Sequence, residues 1–334
     1  VISLEQGYPM STETTISLNN IEPTTRAFLE KINAIRGPPI YKMSVEHARK
    51  ALTDVQASTA VQMMPADIEE LDIPGGPKGK VHVHIVRPQG STGTLPVTMY
   101  FHGAGWVLGD FSIFDRLVRE LSNKSGSAIV FVDYDLSPGA QYPVALEEDY
   151  TATKYIADNG KQHNLDSSRL AIAGDSVGGN MTAVVAMMAK QRKGPEIRFQ
   201  LLFYPVTDAG MDTGSYRQFP AGYWLARDGM KWFWDNYLPD KETRKQPLAS
   251  PLRASLDQLK GLPPALVITD ENDVLRDEGE AYAHKLMGAG VPTTAVRFLG
   301  TVHDFVMLNA LADTPASKGA IDLASDMLRK AFAR

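Results

Sequence analysis

The sequence predicts an α/β fold: a mostly parallel eight-stranded sheet with helices on both faces. Three observations carry that prediction. Short apolar runs recur from Val97 onward and alternate with helical stretches, the pattern of parallel strands covered on two sides. Two earlier runs, Ala66 to Ile73 and Lys80 to Arg87, flank Pro74-Gly75-Gly76-Pro77 and read as an antiparallel hairpin opening the sheet. Finally, Leu170-Ala171-Ile172-Ala173 runs into Gly174-Asp175-Ser176-Val177-Gly178 and then into the Ala- and Met-rich stretch Met181 to Lys190, so strand, tight turn and helix follow one another directly.

From Ile21 to about Ser58 the pattern is helical. Phe28, Ile32 and Ile35 fall at helical spacing, Gly37-Pro38-Pro39 breaks the run, and Ser44 is a candidate cap for a second helix. In the hairpin, Val81, Val83 and Ile85 alternate with His82 and His84, which share the other face. Strands are expected at Val97 to His102 and Ala128 to Tyr134, with a helix near Phe114 to Lys124 between them. Four more follow at Leu170 to Ala173, Phe199 to Tyr204, Ala265 to Thr269 and Thr294 to Leu299. Asp208 to Gln246 interrupts the alternation and is dense in aromatic residues, Tyr223, Trp224, Phe233 and Trp234 among them. Most such rings belong in a core, but a fraction can line a pocket above the sheet.

Composition narrows the partners. At 334 residues and 43% hydrophobic the chain can bury a substantial core. A net charge of -5 leaves no basic footprint for nucleic acid. The absence of cysteine removes disulfides and thiolate metal sites, and no apolar run reaches the roughly 18 residues of a membrane span. The chain starts Val1-Ile2-Ser3 without the basic and apolar regions of a leader. Met10 is a candidate native start, a trimmed leader is the alternative, and the cytoplasm is the expected location. Neither a cofactor nor a metal is expected.

The chemistry centres on Gly174-Asp175-Ser176-Val177-Gly178, a G-x-S-x-G pattern in the strand-turn-helix context of a nucleophile elbow. Small flanking residues leave room for the strained turn that exposes the serine oxygen. A phosphate-binding loop is excluded, because Asn180 and Met181 stand where its lysine and hydroxyl residue belong. Upstream, His102-Gly103-Ala104-Gly105 follows a strand, and the backbone of Gly103, Ala104 and Gly105, with the amide of Val177, is the candidate oxyanion hole. The base is sought among the histidines. His47, His163 and His284 lie in polar surroundings, His82 and His84 share a strand face, and His102 suits a structural hydrogen bond. His303 instead follows the last strand at its C-terminal end, where open α/β sheets build their sites. Of the acids after Ala265 to Thr269, Asp273 is placed to turn inward, while Asp277 and Glu278 read as first-turn helix acids.

With these motifs in place, the chain resembles the hormone-sensitive lipase family of α/β-hydrolases, which includes the bacterial family IV carboxylesterases, from about Pro65 to the C-terminus. The H-G-G-G loop of that family corresponds to His102-Gly103-Ala104-Gly105 and its G-D-S-A-G-G elbow to Gly174 through Gly179. Its D-x-L-x-D-E motif corresponds to Asp273 through Glu278 and its H-x-F to His303-Asp304-Phe305. Ala104 replaces a glycine, which a backbone donor tolerates if its φ is negative. The family's Y-R-L-A-P-E becomes Tyr134-Asp135-Leu136-Ser137-Pro138-Gly139, suggesting that a scaffold ion pair has been replaced.

The resemblance implies a helical cap made of residues 1–60 and 208–246 over a catalytic core of residues 61–207 and 247–334. It further implies a cofactor-independent serine carboxylesterase acting on short to medium acyl esters, with Ser176, His303 and Asp273 in the chain order of α/β-hydrolases. A small-molecule ester is the expected partner, with a homodimer as an open arrangement. An amide or acetyl-group hydrolase would use the same triad. A small-molecule receptor of the kind plants use for gibberellin would lack the histidine that stands here at 303. A histidine base must be neutral, so activity is expected to fall below its ordinary value of about 6.5.

Overall fold

The computed structural model describes residues 17–333, so the candidate start at Met10 lies outside the described residues. Eight strands form one sheet: β1 (Ala66–Pro74), β2 (Lys80–Pro88), β3 (Leu95–Phe101), β4 (Ala128–Asp133), β5 (Leu165–Asp175), β6 (Phe199–Phe203), β7 (Ala265–Asn272) and β8 (Thr293–Val302). Their spatial order is β1-β2-β4-β3-β5-β6-β7-β8. β1 with β2 and β2 with β4 pair antiparallel, and every later neighbour is parallel. Both the antiparallel opening and the parallel body are therefore as the sequence predicts.

The helices are α1 (Pro23–Asn33), α2 (Val45–Ala57), α3 (Phe111–Ser125), α4 (Val144–Asn159), α5 (Val177–Gln191), α6 (Gly214–Gln218), α7 (Arg227–Tyr237), α8 (Leu256–Leu259), α9 (Arg276–Gly288) and α10 (Pro315–Phe332). Ser44 caps α2, its side chain accepting the His47 N–H. The Asp110 carboxylate does the same for α3 at Ser112, and Gly126, left-handed at φ 69°, ends that helix; such caps satisfy backbone groups that a helix end leaves free. β4, β6 and the Leu170–Asp175 part of β5 are buried on both faces, and α5, buried from Val177 to Ala189, packs against β5 and β6.

Two sequence expectations change. Ile35 lies past the end of α1 and is exposed, so its helical spacing was coincidental. β8 is an edge strand rather than a doubly covered one: its burial alternates, and Leu299 points to solvent. Among the described residues no helix is long and apolar enough to cross a membrane.

The N-terminal helices and the 208–246 insertion pack together above the C-terminal ends of the parallel strands. Asn33 donates to the Gly222 carbonyl (3.0 Å), the Tyr223 hydroxyl donates to the Ser17 carbonyl (3.1 Å), and the Phe28 and Trp224 rings meet at 5.4 Å. α2 is pinned to α3 and to three loops: Gln56 donates to the carbonyls of Ile113 and Met307, and Arg49 to those of Val107 and Ser137.

Candidate active site

Ser176 occupies the turn between β5 and α5 at φ 56° and ψ -118°, a conformation disfavoured for an L residue. The glycines around it are there because the backbone is crowded. A Cβ at Gly178 would overlap the Phe101 carbonyl, and one at Gly174 would overlap the Gly178 carbonyl. The turn is held from β6, where the Phe203 carbonyl accepts the Ser176 N–H at 2.9 Å.

His303 follows β8 directly and reaches back to the elbow. Its Nε2 lies 2.9 Å from Ser176 Oγ and its Nδ1 lies 2.7 Å from Asp273 Oδ2. The other oxygen of Asp273 accepts the Leu275 N–H at 3.0 Å, which fixes the carboxylate. All three side chains are buried. Thus three residues separated by up to 127 positions meet as a single hydrogen-bonded chain. Asp277 and Glu278 sit in the first turn of α9 as expected, the first bracing α6 and the second the loop after β6. Asp277 accepts the Ser215 N–H, and Glu278 accepts those of Thr207 and Asp208.

The His102–Gly105 loop lies beside the serine, with two departures from expectation. The Gly103 N–H is committed to Asp175 Oδ1 at 3.0 Å, so it is withdrawn from the candidate oxyanion hole. Ala104 has φ 68°, not the negative value that an alanine there would favour. Gly105 and Trp106 share this left-handed conformation at φ 70° and 61°. Among the described residues none accepts a hydrogen bond from the amides of Ala104, Gly105 or Val177. Gly105 is also glycine for want of space: a Cβ there would run into the Phe233 ring of α7. His102 is structural as expected, its Nδ1 bonded to the Gly103 carbonyl and its ring stacked on Tyr134 at 4.2 Å. Burial pushes its pKa down to about 4, so it is neutral.

Sequence reasoning missed the residue that joins elbow to loop. Asp175 is fully buried and accepts from both the Tyr100 hydroxyl (2.7 Å) and the Gly103 amide. Burial pushes its carboxyl up to about 7, with Asp304 adding repulsion. Its place inside the G-x-S-x-G motif was the available signal. Tyr204, whose ring packs 4.7 Å from that of His303, carried none.

The electrostatics of His303 are set by competing effects. Burial alone would lower the His303 pKa, but Asp273, Asp304 and Asp270 outweigh it and push the imidazole up to about 10. Asp270 and Asp304 are themselves buried and pushed upward, holding protons more readily than a free aspartate. Asp304 also connects site to insertion, since its Oδ2 accepts the Trp224 indole N–H at 2.8 Å while Oδ1 lies 3.4 Å from His303 Nε2. Asp270, Asp273 and His303 are close enough to hold an ion, yet Asp273 and both nitrogens of His303 are already engaged in the hydrogen-bonded chain.

The Tyr134–Gly139 segment explains its departure from the expected motif. Asp135 pairs with Lys78 at 2.7 Å, both about half-exposed, and its N–H is accepted by Glu148. Neighbouring Asp149 is fully buried, and among the described residues neither of its oxygens has a partner.

Comparison with known proteins agrees with this architecture. A family described as the alpha/beta hydrolase fold matches residues 98–307. The structure of a thermostable esterase from Pseudomonas putida ECU1011 is 49% identical over 94% of this chain and 98% of its own, with a TM-score of 0.92. A fungal esterase structure from Rhizomucor miehei is 40% identical over 94% and 97%, at 0.87. Carboxylesterase NlhH of Mycobacterium tuberculosis is 32% identical over 96% of this chain and 99% of its own. With the eight-stranded sheet and its serine elbow already in view, the chain belongs to the α/β-hydrolase-fold family and is a carboxylic ester hydrolase.

Proposed function

We propose that this ester hydrolase is a serine carboxylesterase of the hormone-sensitive lipase branch, cleaving short to medium acyl esters through an acyl-enzyme on Ser176. The observation that carries the reading is the unbroken chain from Asp273 through His303 to Ser176 Oγ at 2.7 and 2.9 Å. As Ser176 Oγ attacks the ester carbonyl, its proton passes to His303 Nε2, and Asp273 holds the imidazole tautomer and balances the imidazolium. The negative charge on the carbonyl oxygen faces the amides of Ala104, Gly105 and Val177. The imidazolium then protonates the departing alkoxide. Water, deprotonated by the same histidine, attacks the acyl-serine and releases the acid.

Residues 208–246, with the N-terminal helices, act as the cap over this site. Phe233 pressing on Gly105 and Trp224 tied to Asp304 crowd the approach with rings, which favours short and medium acyl groups over long ones. The test is a p-nitrophenyl ester series from acetate to palmitate beside the matched p-nitroanilides. Ester turnover peaking at short or medium chains supports the reading. Anilides cleaved as fast as esters would favour an amidase, and a folded protein that turns over neither class would point to a binding protein.

A further inference from the structure

The proposed chemistry leaves the histidine pair of β2 without a role, although the pair shares a sheet face opposite a carboxylate of β4. His82 and His84 stand two residues apart on β2 and so face the same side of the sheet. In the antiparallel register of β2 with β4, His82 lies directly opposite Asp133. One donor atom from each of the three side chains comes within 4.8 Å of the other two. The closest pair, His84 Nε2 and Asp133 Oδ2, is 3.1 Å apart. Ligands held about 2.1 Å from a tetrahedral ion stand roughly 3.4 Å from one another, so small side-chain rotations close the set.

We propose that His82, His84 and Asp133 bind a divalent first-row transition-metal ion, at a site distinct from the catalytic triad. For His82 the supporting shell is already in place. Asp72, paired with His82 across β1 and β2, holds His82 Nδ1 at 2.8 Å, the carboxylate contact that fixes tautomer and orientation in metal-binding histidines. The His84 ring lies flat on Phe111 (4.0 Å, 12°), which sets its plane. His84 is 8% exposed, and its Nδ1 has no partner among the described residues.

A fourth donor is in reach, because Glu70 Oε2 lies 3.9 Å from His82 Nε2. The site also has an entry path through a cleft lined by His82, Asp110, Asp133 and Asp135. Two imidazoles with carboxylates suit zinc, cobalt, nickel or copper, whereas magnesium and calcium prefer all-oxygen sets. By clamping β2 to β4, the ion would stabilise the antiparallel end of the sheet, since binding to the folded state alone raises its stability.

The test titrates the full chain, freed of metal by chelation, with zinc chloride by calorimetry and with cobalt chloride by visible absorption. The proposal expects one ion per chain, cobalt d–d bands, and a melting temperature raised by zinc. His82→Ala and Asp133→Asn should each weaken binding at least tenfold, and Asp72→Asn should weaken it less. His284→Ala, on α9 against β7 and β8 at the other end of the sheet, should leave it unchanged. Circular dichroism confirms that each variant is folded, and His82→Gln serves if the alanine variant is not. Ester turnover at saturating zinc should hold, because an ion on Asp270, Asp273 and His303, the other candidate trio among the described residues, would stop it. No binding to the folded intact chain overturns the proposal. So does binding undiminished by both substitutions, or binding that abolishes turnover.

Discussion

The elbow and the His102–Gly105 loop are held by backbone crowding, whereas the N-terminal helices and the 208–246 insertion above them are held by side chains from two segments far apart in the chain. In the first region the residue choices are nearly forced. A side chain at Gly174, Gly178 or Gly105 would meet a carbonyl or a ring, and Asp175 ties strand, elbow and loop through two hydrogen bonds. In the second, Trp224, Phe233, Trp234 and Tyr237 fill space against Phe28, Gly105 and Trp106, and many aromatic sets could do so. The lesson is a division of labour. Backbone geometry at the elbow is specified residue by residue, and the packing of the insertion is specified only by volume and shape.

That contrast can be broken in stages. The largest effect is expected at His303→Ala, which should lower kcat roughly 10⁴-fold or more in a variant that circular dichroism shows to be folded; a modest loss would mean the hydrogen-bonded chain is not the catalytic one. Next comes Gly105→Ala, which sets a Cβ against Phe233 at a positive φ. A loss of about 100-fold in kcat is predicted if the displaced amide is an oxyanion donor. Adding Phe233→Ala should recover part of it, since residues in contact are not additive. Recovery with a preference for longer acyl chains would show the forced region and the permissive one meeting at this contact.

A third prediction concerns pH. Only neutral His303 can accept the serine proton, and the surrounding carboxylates raise its pKa. Turnover is therefore lost at a higher pH than for a free imidazole, and the acid limb of kcat/KM should lie above 6.5 rather than at it. A limb at or below 6.5 would contradict this picture of the pocket. The smallest effect is expected outside the site, at Asp149. Its folded pKa is raised by burial, so the native state keeps a proton that the unfolded chain releases above about pH 4. Stability should thus decline as pH rises from that value toward the folded pKa. Asp149→Asn should remove the decline and gain about 1–3 kcal/mol at pH 8 in urea unfolding, with little change near pH 4.

How much was legible in the sequence follows the same division. The eight strands, the hairpin and the elbow were readable because apolar runs and glycines mark backbone requirements. That Ser176, Asp273 and His303 meet in one hydrogen-bonded chain was foreseeable because each stands at the C-terminal end of a strand. What failed was conformational or environmental. The positive φ of Ala104 was invisible because alanine ordinarily avoids it, and the Gly103 amide was misassigned because its acceptor, Asp175, lies 72 residues away. The exposure of β8 depends on being last in the sheet, which composition does not encode. Likewise, nothing in the spacing of Trp224 announced its hydrogen bond to Asp304 across 80 residues.

The central claim is that Ser176 carries the acyl group. Its most direct test is to mix the intact protein with p-nitrophenyl acetate, quench in acid within the first turnovers and locate the adduct by peptide mass spectrometry, with Ser176→Ala alongside. An acetyl mass on the peptide containing Ser176 and a burst of p-nitrophenol are expected, with neither in the folded variant. Turnover that persists in folded Ser176→Ala, or an acetyl group carried on another residue, would contradict it.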